Sequence, residues 1–357
     1  MIKSCYIHIP FCKNICSYCD FCKMYYNKDF IDKYLLSLEK EINLYYKNDL
    51  LNTLYIGGGT PSCLDEISLK KLFKIISIFK LNKTYEFTFE CNIEDINEKL
   101  LIFLKENKVN RISIGLQSFN KKYIEFMNRK YLNKKEITDK INLVKKYFNN
   151  INIDLIYGIN NETLKELQEE VDSFINLDVN HISLYSLILE DNTILKTKKY
   201  KEIDDDLNRK MYDYIRKTLK KNNYIHYEIS NFSKKGYMSK HNLCYWNNDN
   251  YYGFGLGSSG FVDNIRYTNT RSLNSYINGN YRYIKEKIDK KRNMEYEMIL
   301  NLRKIKGISK KNFYKKYNIN IKDVFDVSKL KENKYYFYIP KKYLFVENYI
   351  LSDFILD

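Results

Sequence analysis

The stretch YIHIPFCKNICSYCDFC, residues 6–22, decides the reading of the chain. A short β-rich run, Cys5–Pro10, ends on proline and opens into a loop with cysteines at 12, 16, 19 and 22. These are four of only 8 cysteines, and Cys63, Cys91 and Cys244 stand alone downstream. A structural zinc site usually draws its ligands in two separated pairs or from Cys with His, and no second pair exists here. Disulfides are disfavoured in a chain of this size read as cytosolic. Closely spaced thiolates on one loop can instead hold three irons of a [4Fe–4S] cluster and leave the fourth iron open. The spacing therefore favours iron–sulfur over zinc or inert thiols.

Outward from that loop, strands and helices alternate. Five further β-rich runs follow, at Thr53–Gly57, Thr84–Cys91, Arg111–Gln117, Ile151–Gly158 and His181–Leu189. Helical spacing of apolar residues places helices around 31–42, 67–80, 94–106, 133–148, 163–176 and 204–221. Six strand–helix units predict a parallel α/β architecture, a partial (β/α)6 barrel or open sheet rather than the eight-unit barrel. Active groups in such folds gather at the C-terminal ends of the strands. The cysteines, Gly57–Gly59, Glu90 and Gln117 all fall there, and Asp154 lies within the fifth strand. Residues 1–235 are expected to form this barrel, and residues 236–357 a second unit. In the latter, 236–280 read as loop. A helix from Glu295 leads through Gly307 to a second short helix, and KKYLFVENYILSDFILD reads as a hairpin with a last helix. This is a small α/β, winged-helix-like appendage.

Composition excludes other classes. With 44% hydrophobic and 29% charged residues, the chain is neither disordered nor membrane-spanning. No apolar run approaches the roughly 18–20 residues of a transmembrane helix, and the N-terminus lacks the features of a signal peptide, so a cytoplasmic location is expected. Lys+Arg 60 against Asp+Glu 44 leaves +16, but the lysines are scattered among abundant Asn, Ile and Tyr, which reads as compositional drift and predicts no nucleic-acid partner. Against that drift the scarce residues stand out: Gly57–Gly59 with Pro61, His241 with the sole Trp246, and a glycine group in FGLGSSG (254–260). That last segment contains G-x-G-x-x-G without the strand-then-helix frame of a dinucleotide site, so no nicotinamide or flavin is expected.

The cysteine loop resembles that of the radical S-adenosylmethionine (SAM) enzymes, whose core is a partial (β/α)6 barrel. GGGTPS (57–62), RISIGLQSF (111–119), DLIYG (154–158), HISLYSLILE (181–190) and YEISNFS (227–233) resemble the branch that contains oxygen-independent coproporphyrinogen III oxidase and the HemW-type heme chaperones. The resemblance implies Cys12, Cys16 and Cys19 as ligands of a [4Fe–4S] cluster whose open iron chelates the amino and carboxylate groups of SAM. It implies that Gly58, Gly59 and Thr60 approach the methionyl part, Arg129 pairs with a carboxylate, and Glu90 takes the ammonium. Gln117 and Asp154 meet the ribose, and Tyr6 and Tyr18 pack on SAM.

Two features separate members of the branch. The decarboxylating oxidase resembles C-x3-C-x2-C-x-C with a long extension before the cluster. Here Phe21 occupies the last position, Cys22 follows it, and eleven residues precede Cys12. HNLCYW (241–246) matches the H-N-x-x-Y-W pattern of the heme chaperones, which implies His241 as an axial heme ligand beside Asn242, Tyr245 and Trp246. The expectation is a heme chaperone that carries a SAM-binding cluster. It would be served by an electron donor, hand heme to an acceptor protein, and leave peripheral membrane contact open. A coproporphyrinogen III oxidase is the alternative and a radical-SAM methyltransferase a third, so enzymatic turnover is left open.

Overall fold

The computed structural model describes residues 1–356. Six parallel strands form the frame: β1 (Ser4–Ile9), β2 (Leu50–Gly58), β3 (Lys80–Asn92), β4 (Arg111–Gln117), β5 (Ile151–Tyr157) and β6 (His181–Ser186). The helices between and after them are α1 (Lys28–Tyr45), α2 (Glu66–Ile76), α3 (Glu98–Glu106), α4 (Lys121–Phe126), α5 (Lys134–Tyr147), α6 (Leu164–Asn176), α7 (Ile194–Thr197) and α8 (Asp205–Lys221). The longer ones begin at residues that cap them. Asn27, Asp65, Asn97 and Asp204 accept from backbone amides of the first turn, and Asn133 with Glu136 and Thr163 with Glu166 form reciprocal capping boxes. Helix α8 buries Met211, Ile215 and Leu219 along one stripe, the i, i+4, i+8 spacing that fixes its inward face.

The strands alternate sharply. Ile7, Ile56, Phe89, Ile112, Ile114, Ile153 and Ile182 are fully buried within the hydrophobic core, each worth about 1.5–3 kcal/mol. Residues of the other parity are polar or small and line a cavity in the barrel: Tyr55, Glu90, Ser113, Asp154 and Ser183.

Three more strands extend the sheet: β7 (Ile225–Glu228), β8 (Asn231–Ser233) and β9 (Tyr252–Phe254). The nine-stranded order is β9-β1-β2-β3-β4-β5-β6-β8-β7. β9 runs parallel to β1, whereas β8 is antiparallel to both β6 and β7. The two edge strands do not pair, so the partial barrel stays open. The expectation of loop over 236–280 is corrected here. The segment holds α9 (Lys240–Trp246), β9, a hairpin of β10 (Ser259–Val262) and β11 (Ile265–Asn269), and α10 (Leu273–Ile277). β9 has three residues and a partner at the far end of the chain, so its local composition carried no strand signal. Gly257, at φ +69°, lets the following loop press against Cys22, which an added Cβ would meet at 2.5 Å. The sheet thus crosses the boundary expected at residue 235.

After β12 (Arg282–Lys287), which pairs with β11, the chain follows the order of a winged helix. That order is α11 (Lys290–Leu302), β13 (Ile308–Ser309), α12 (Lys310–Tyr317), a 3-10 turn at Ile321–Asp323, β14 (Lys331–Glu332) and β15 (Tyr336–Tyr338). The small sheet has the order β13-β15-β14. The hairpin expected in the last seventeen residues lies earlier, at β14–β15, and the end of the described chain carries 3-10 turns around α13 (Glu347–Leu351). Met298, Leu302, Phe313 and Phe354 belong to the same hydrophobic core as Ile7 and Ile56, so the appendage and barrel share one interior.

Candidate functional site

The cysteine loop is pinned on both sides. Phe11–Cys12 pairs in parallel with Met24–Tyr25, and Tyr26 N donates to Cys12 O at 2.8 Å. Ser17 N and Oγ donate to the carbonyls of Met127 and Phe126 at the end of α4, at 3.1 and 2.9 Å. From the β2 turn, Gly59 N reaches Ile9 O and Thr60 N reaches Phe11 O, both at 2.8 Å. This close crossing requires Gly58, whose φ is +114° and whose added Cβ would lie 2.5 Å from the His8 ring.

Cys12, Cys16 and Cys19 all line one cavity of about 460 Å³ at the C-terminal ends of the strands. Two donors are directed at the sulfurs: Thr60 Oγ1 lies 3.5 Å from Cys12 Sγ, and Arg129 Nη1 lies 3.7 Å from Cys16 Sγ. Burial pushes the Cys12 thiol up to about 11, with Thr60 opposing, and raises Cys19 as well. Among the described residues no three His, Cys, Asp or Glu side chains close on a single metal ion. Three thiols on one loop, facing one cavity with donors ready to stabilise sulfur charge, fit the ligand set of an iron–sulfur cluster with an open iron.

Behind the loop stand the other cavity residues. Arg129 is held by Gly115 O at 2.8 Å and Asn92 Oδ1 at 3.1 Å, with Glu94 at 3.5 Å. Burial works against its charge, but Tyr18 and Cys16 outweigh it and keep the guanidinium protonated. Glu90 accepts from Tyr55 Oη at 2.6 Å and Gly58 N at 3.0 Å, and burial raises its carboxyl to about 7. Asp154, also raised by burial, accepts from Asn152 Nδ2 at 2.8 Å. Gln117 ends β4 at φ +72°, and its buried Oε1 has no partner. A strained residue offering an unpaired acceptor into a cavity suits a ligand hydroxyl. Tyr18, Gly58, Gly59 and Thr60 line the same cavity. Tyr6 is not in that lining; its hydroxyl pairs with His8 Nδ1 at 3.0 Å, and its ring lies beside Tyr55 and His241.

The HNLCYW segment differs from the open loop expected for it. It forms α9, capped by Ser239, with the amides of Lys240 and His241 donating to the Glu86 carboxylate at 3.1 and 3.0 Å. His241 is 1% exposed. Its Nδ1 pairs with Thr53 Oγ1 and its Nε2 with Tyr245 Oη, both at 2.8 Å. Burial lowers its pKa to about 3. Thr53 and Glu86 precede Gly58 and Glu90 along β2 and β3, so α9 closes the N-terminal end of the barrel as a floor. Asn242 lines the cavity from that side, so the segment and the cysteine loop border the same cavity from its two ends. Trp246 lies under the Arg303 guanidinium, 5.7 Å from the ring centre.

Sequence reading missed Arg111, Ser113, Asn152, Ser183 and Tyr185, which also line the cavity. Their signal was present: in R-I-S-I-G-L-Q and H-I-S-L-Y-S polar residues recur at period two opposite buried aliphatics.

A family model described as Radical SAM superfamily matches residues 6–174. The heme chaperone HemW of Lactococcus lactis subsp. lactis (strain IL1403) is 38% identical over 332 residues, covering 90% of this chain and 87% of that protein. The heme chaperone HemW of Bacillus subtilis (strain 168) is also 38% identical, over 339 residues, covering 91% of this chain and 89% of its own. A solved structure of coproporphyrinogen III oxidase (HemN) from Escherichia coli, described as a radical SAM enzyme, superposes with a TM-score of 0.86. It covers 99% of this chain and 90% of that one at 19% identity, a likeness of fold alone. By its extended similarity to these chaperones and its radical SAM core, the chain belongs to the HemW heme chaperone family.

Proposed function

We propose that this protein is a heme chaperone, binding heme and passing it to an acceptor protein, with a [4Fe–4S] cluster and SAM seated in the barrel mouth. The observation that carries the reading is one cavity that gathers Cys12, Cys16 and Cys19 with Glu90, Gln117, Arg129 and Asp154, in a chain related along about 90% of its length to proteins named heme chaperones. Cys12, Cys16 and Cys19 hold the cluster, which supplies one-electron chemistry and an open iron for the amino and carboxylate groups of SAM. Thr60 and Arg129 stabilise charge on the sulfurs. Arg129 also offers a carboxylate partner at the cavity wall, and Glu90 a carboxylate for an ammonium. Gln117 Oε1 and Asp154 accept from hydroxyls of a ribose. Tyr18 contributes an aromatic wall. Cys22 lies outside this cavity and is a bystander to the cluster.

An electron donor reduces the cluster, and the acceptor of heme is a separate protein. Among the described residues no helix is long and apolar enough to cross a membrane. We place the protein in the cytoplasm, where thiols stay reduced and able to take iron. Of His241, Asn242, Tyr245 and Trp246, the residues proposed to meet heme, Asn242 already lines the cavity, whereas His241 becomes available only once its Nε2 releases Tyr245.

Anaerobically reconstituted protein tests the reading. Expected are one hemin bound per chain and no consumption of coproporphyrinogen III with reductant and SAM present. Decarboxylation of coproporphyrinogen III without hemin binding would overturn it in favour of the oxidase.

A further inference from the structure

Arg111 opens β4 inside the barrel and is 2% exposed, yet its Nε has no hydrogen-bond partner and, among the described residues, its guanidinium enters no ion pair. A buried cation left without a partner is expensive, and two other interior arginines avoid that state. Arg129 is held by Gly115 O and Asn92, and Arg282 donates to Asn269 Oδ1 at 3.0 Å with Glu41 at 3.7 Å. The carboxyls of the cavity are committed elsewhere, Glu90 to Tyr55 and Gly58 and Asp154 to Asn152. Arg111 instead lines the cavity, together with Ser113, Asn152 and Asn242.

Strand register fixes its height. Tyr55, Thr88 and Arg111 are partners across β2, β3 and β4. They lie one two-residue step towards the mouth from Thr53 and Glu86, the pair that holds His241 and the α9 amides. Thr53 and Glu86 are both bonded, whereas in the layer above them Thr88 Oγ1 also lacks a partner. Tyr55 joins the two layers, since it lines the cavity and its ring centre lies 5.0 Å from that of His241. Gln117 stands at the opposite end of β4, about 20 Å away by the usual rise per residue. Arg111 therefore serves the α9 end of the cavity, and Arg129 and Gln117 the cysteine end.

Resting on the heme-chaperone reading, we propose that Arg111 is the propionate receptor for heme held at α9: once His241 Nε2 is released from Tyr245 to meet the iron, the guanidinium one layer above takes a propionate carboxylate bidentately. Heme carries two carboxylates, and a planar guanidinium is the side chain that matches one with two parallel hydrogen bonds. In a site closed to bulk water such a pair gains from the low dielectric. Asn242 belongs both to α9 and to the cavity lining, so it marks the place where the two halves of the seat meet. Iron and propionate are then recognised by different elements, α9 and β4, and a porphyrin without free acids satisfies only the first.

Titration of anaerobically reconstituted protein with hemin and with hemin dimethyl ester, whose propionates are neutral, tests the receptor. Absorption spectra and iron–sulfur content are recorded throughout. Wild-type protein is expected to bind hemin about tenfold or more tighter than the diester, the range of a charged hydrogen bond. Arg111→Gln is expected to weaken hemin to the level of the diester while leaving the diester and the cluster unchanged. Arg111→Lys, which keeps the charge without the fork, is expected to retain part of the preference. Equal wild-type affinity for the two ligands would overturn the proposal, and this arm stands without any substitution should Arg111→Gln fail to fold. An undiminished preference in Arg111→Gln would overturn it too, and so would an equal loss of both ligands, which would make Arg111 structural. A preference kept in Arg111→Gln while the SAM-induced change in the EPR spectrum disappears would assign the guanidinium to the SAM carboxylate instead. Each of these leaves the chaperone reading in place, whereas wild-type protein that binds neither ligand would sink that reading and the receptor with it.

Discussion

The two ends of the barrel are built from the same alternating strands and differ in how their polar groups are satisfied. At the floor, His241 and His181 each use both ring nitrogens, on Thr53 and Tyr245 and on Asn152 and Tyr227. Glu86 is consumed by the α9 amides. At the mouth, Gln117 Oε1 has no partner, and Arg129 and Thr60 point donors at cysteine sulfur. A scarce residue in a drifting sequence is kept because something needs it, and the count of its partners says what. A saturated histidine is a keystone; an unsaturated amide waits for a ligand.

The widest separation between the two ends is expected from the cysteines. Cys12→Ala, Cys16→Ala or Cys19→Ala should each abolish the iron–sulfur absorption, while Cys22→Ala retains it. Four irons per chain in Cys16→Ala would break the assignment of the mouth. Next is the keystone. His241→Ala strands Thr53 and Tyr245 in a buried site and should cost about 2–4 kcal/mol of unfolding free energy, read from the urea midpoint, with no change in cluster content of the folded fraction. An unchanged midpoint would mean that the floor does not depend on His241. Arg129→Ala should then weaken SAM binding by about 1.5–3 kcal/mol, the range for a charged hydrogen bond, seen as a reduced SAM-induced change in the EPR spectrum of the reduced cluster. An undiminished change would remove Arg129 from the SAM site.

The gentlest effect is that of pH on Glu90. Its folded pKa of about 7 lies above the ordinary 4.5, so between those values the native state holds the extra proton. Stability that this proton contributes is present in full below about pH 4.5 and is lost as pH rises through about 7, by at most about 1.4 kcal/mol per pH unit. The difference between wild type and Glu90→Gln, followed by thermal melting from pH 5 to 8, isolates this group from other buried glutamates. A pH-independent difference would contradict the raised pKa.

The six parallel strands were legible because each joins a β-rich run to an amphipathic helix of ordinary length, and the mouth was legible because cysteines, glycines and carboxylates sit at strand ends. β9 was not, since three residues of Tyr-Gly-Phe carry no periodicity and their partner strand lies at the other end of the chain. The polar lumen of Arg111, Ser113, Asn152 and Ser183 was written at period two but is easily read as ordinary solvent-facing alternation. HNLCYW stands out in the sequence by its scarce His and Trp but reads as an open loop, because one sequence cannot reveal that Thr53 and Glu86 wait beneath it.

Parallel pairing of β9 with β1 also dictates when the protein can be finished. β1 leads directly into the cysteine loop, yet its outer neighbour is Tyr252–Phe254, and Tyr34 Oη ties His8 O to Leu256 N across the same seam. During synthesis the first strand made stays an open edge until about residue 256 has left the ribosome, the opposite of the N-terminal-first order by which most domains assemble. A nascent chain stalled short of β9 therefore keeps the outer edge of β1 unpaired, although the Met24–Tyr25 pairing and the α4 carbonyls that pin the cysteine loop lie in the first 130 residues.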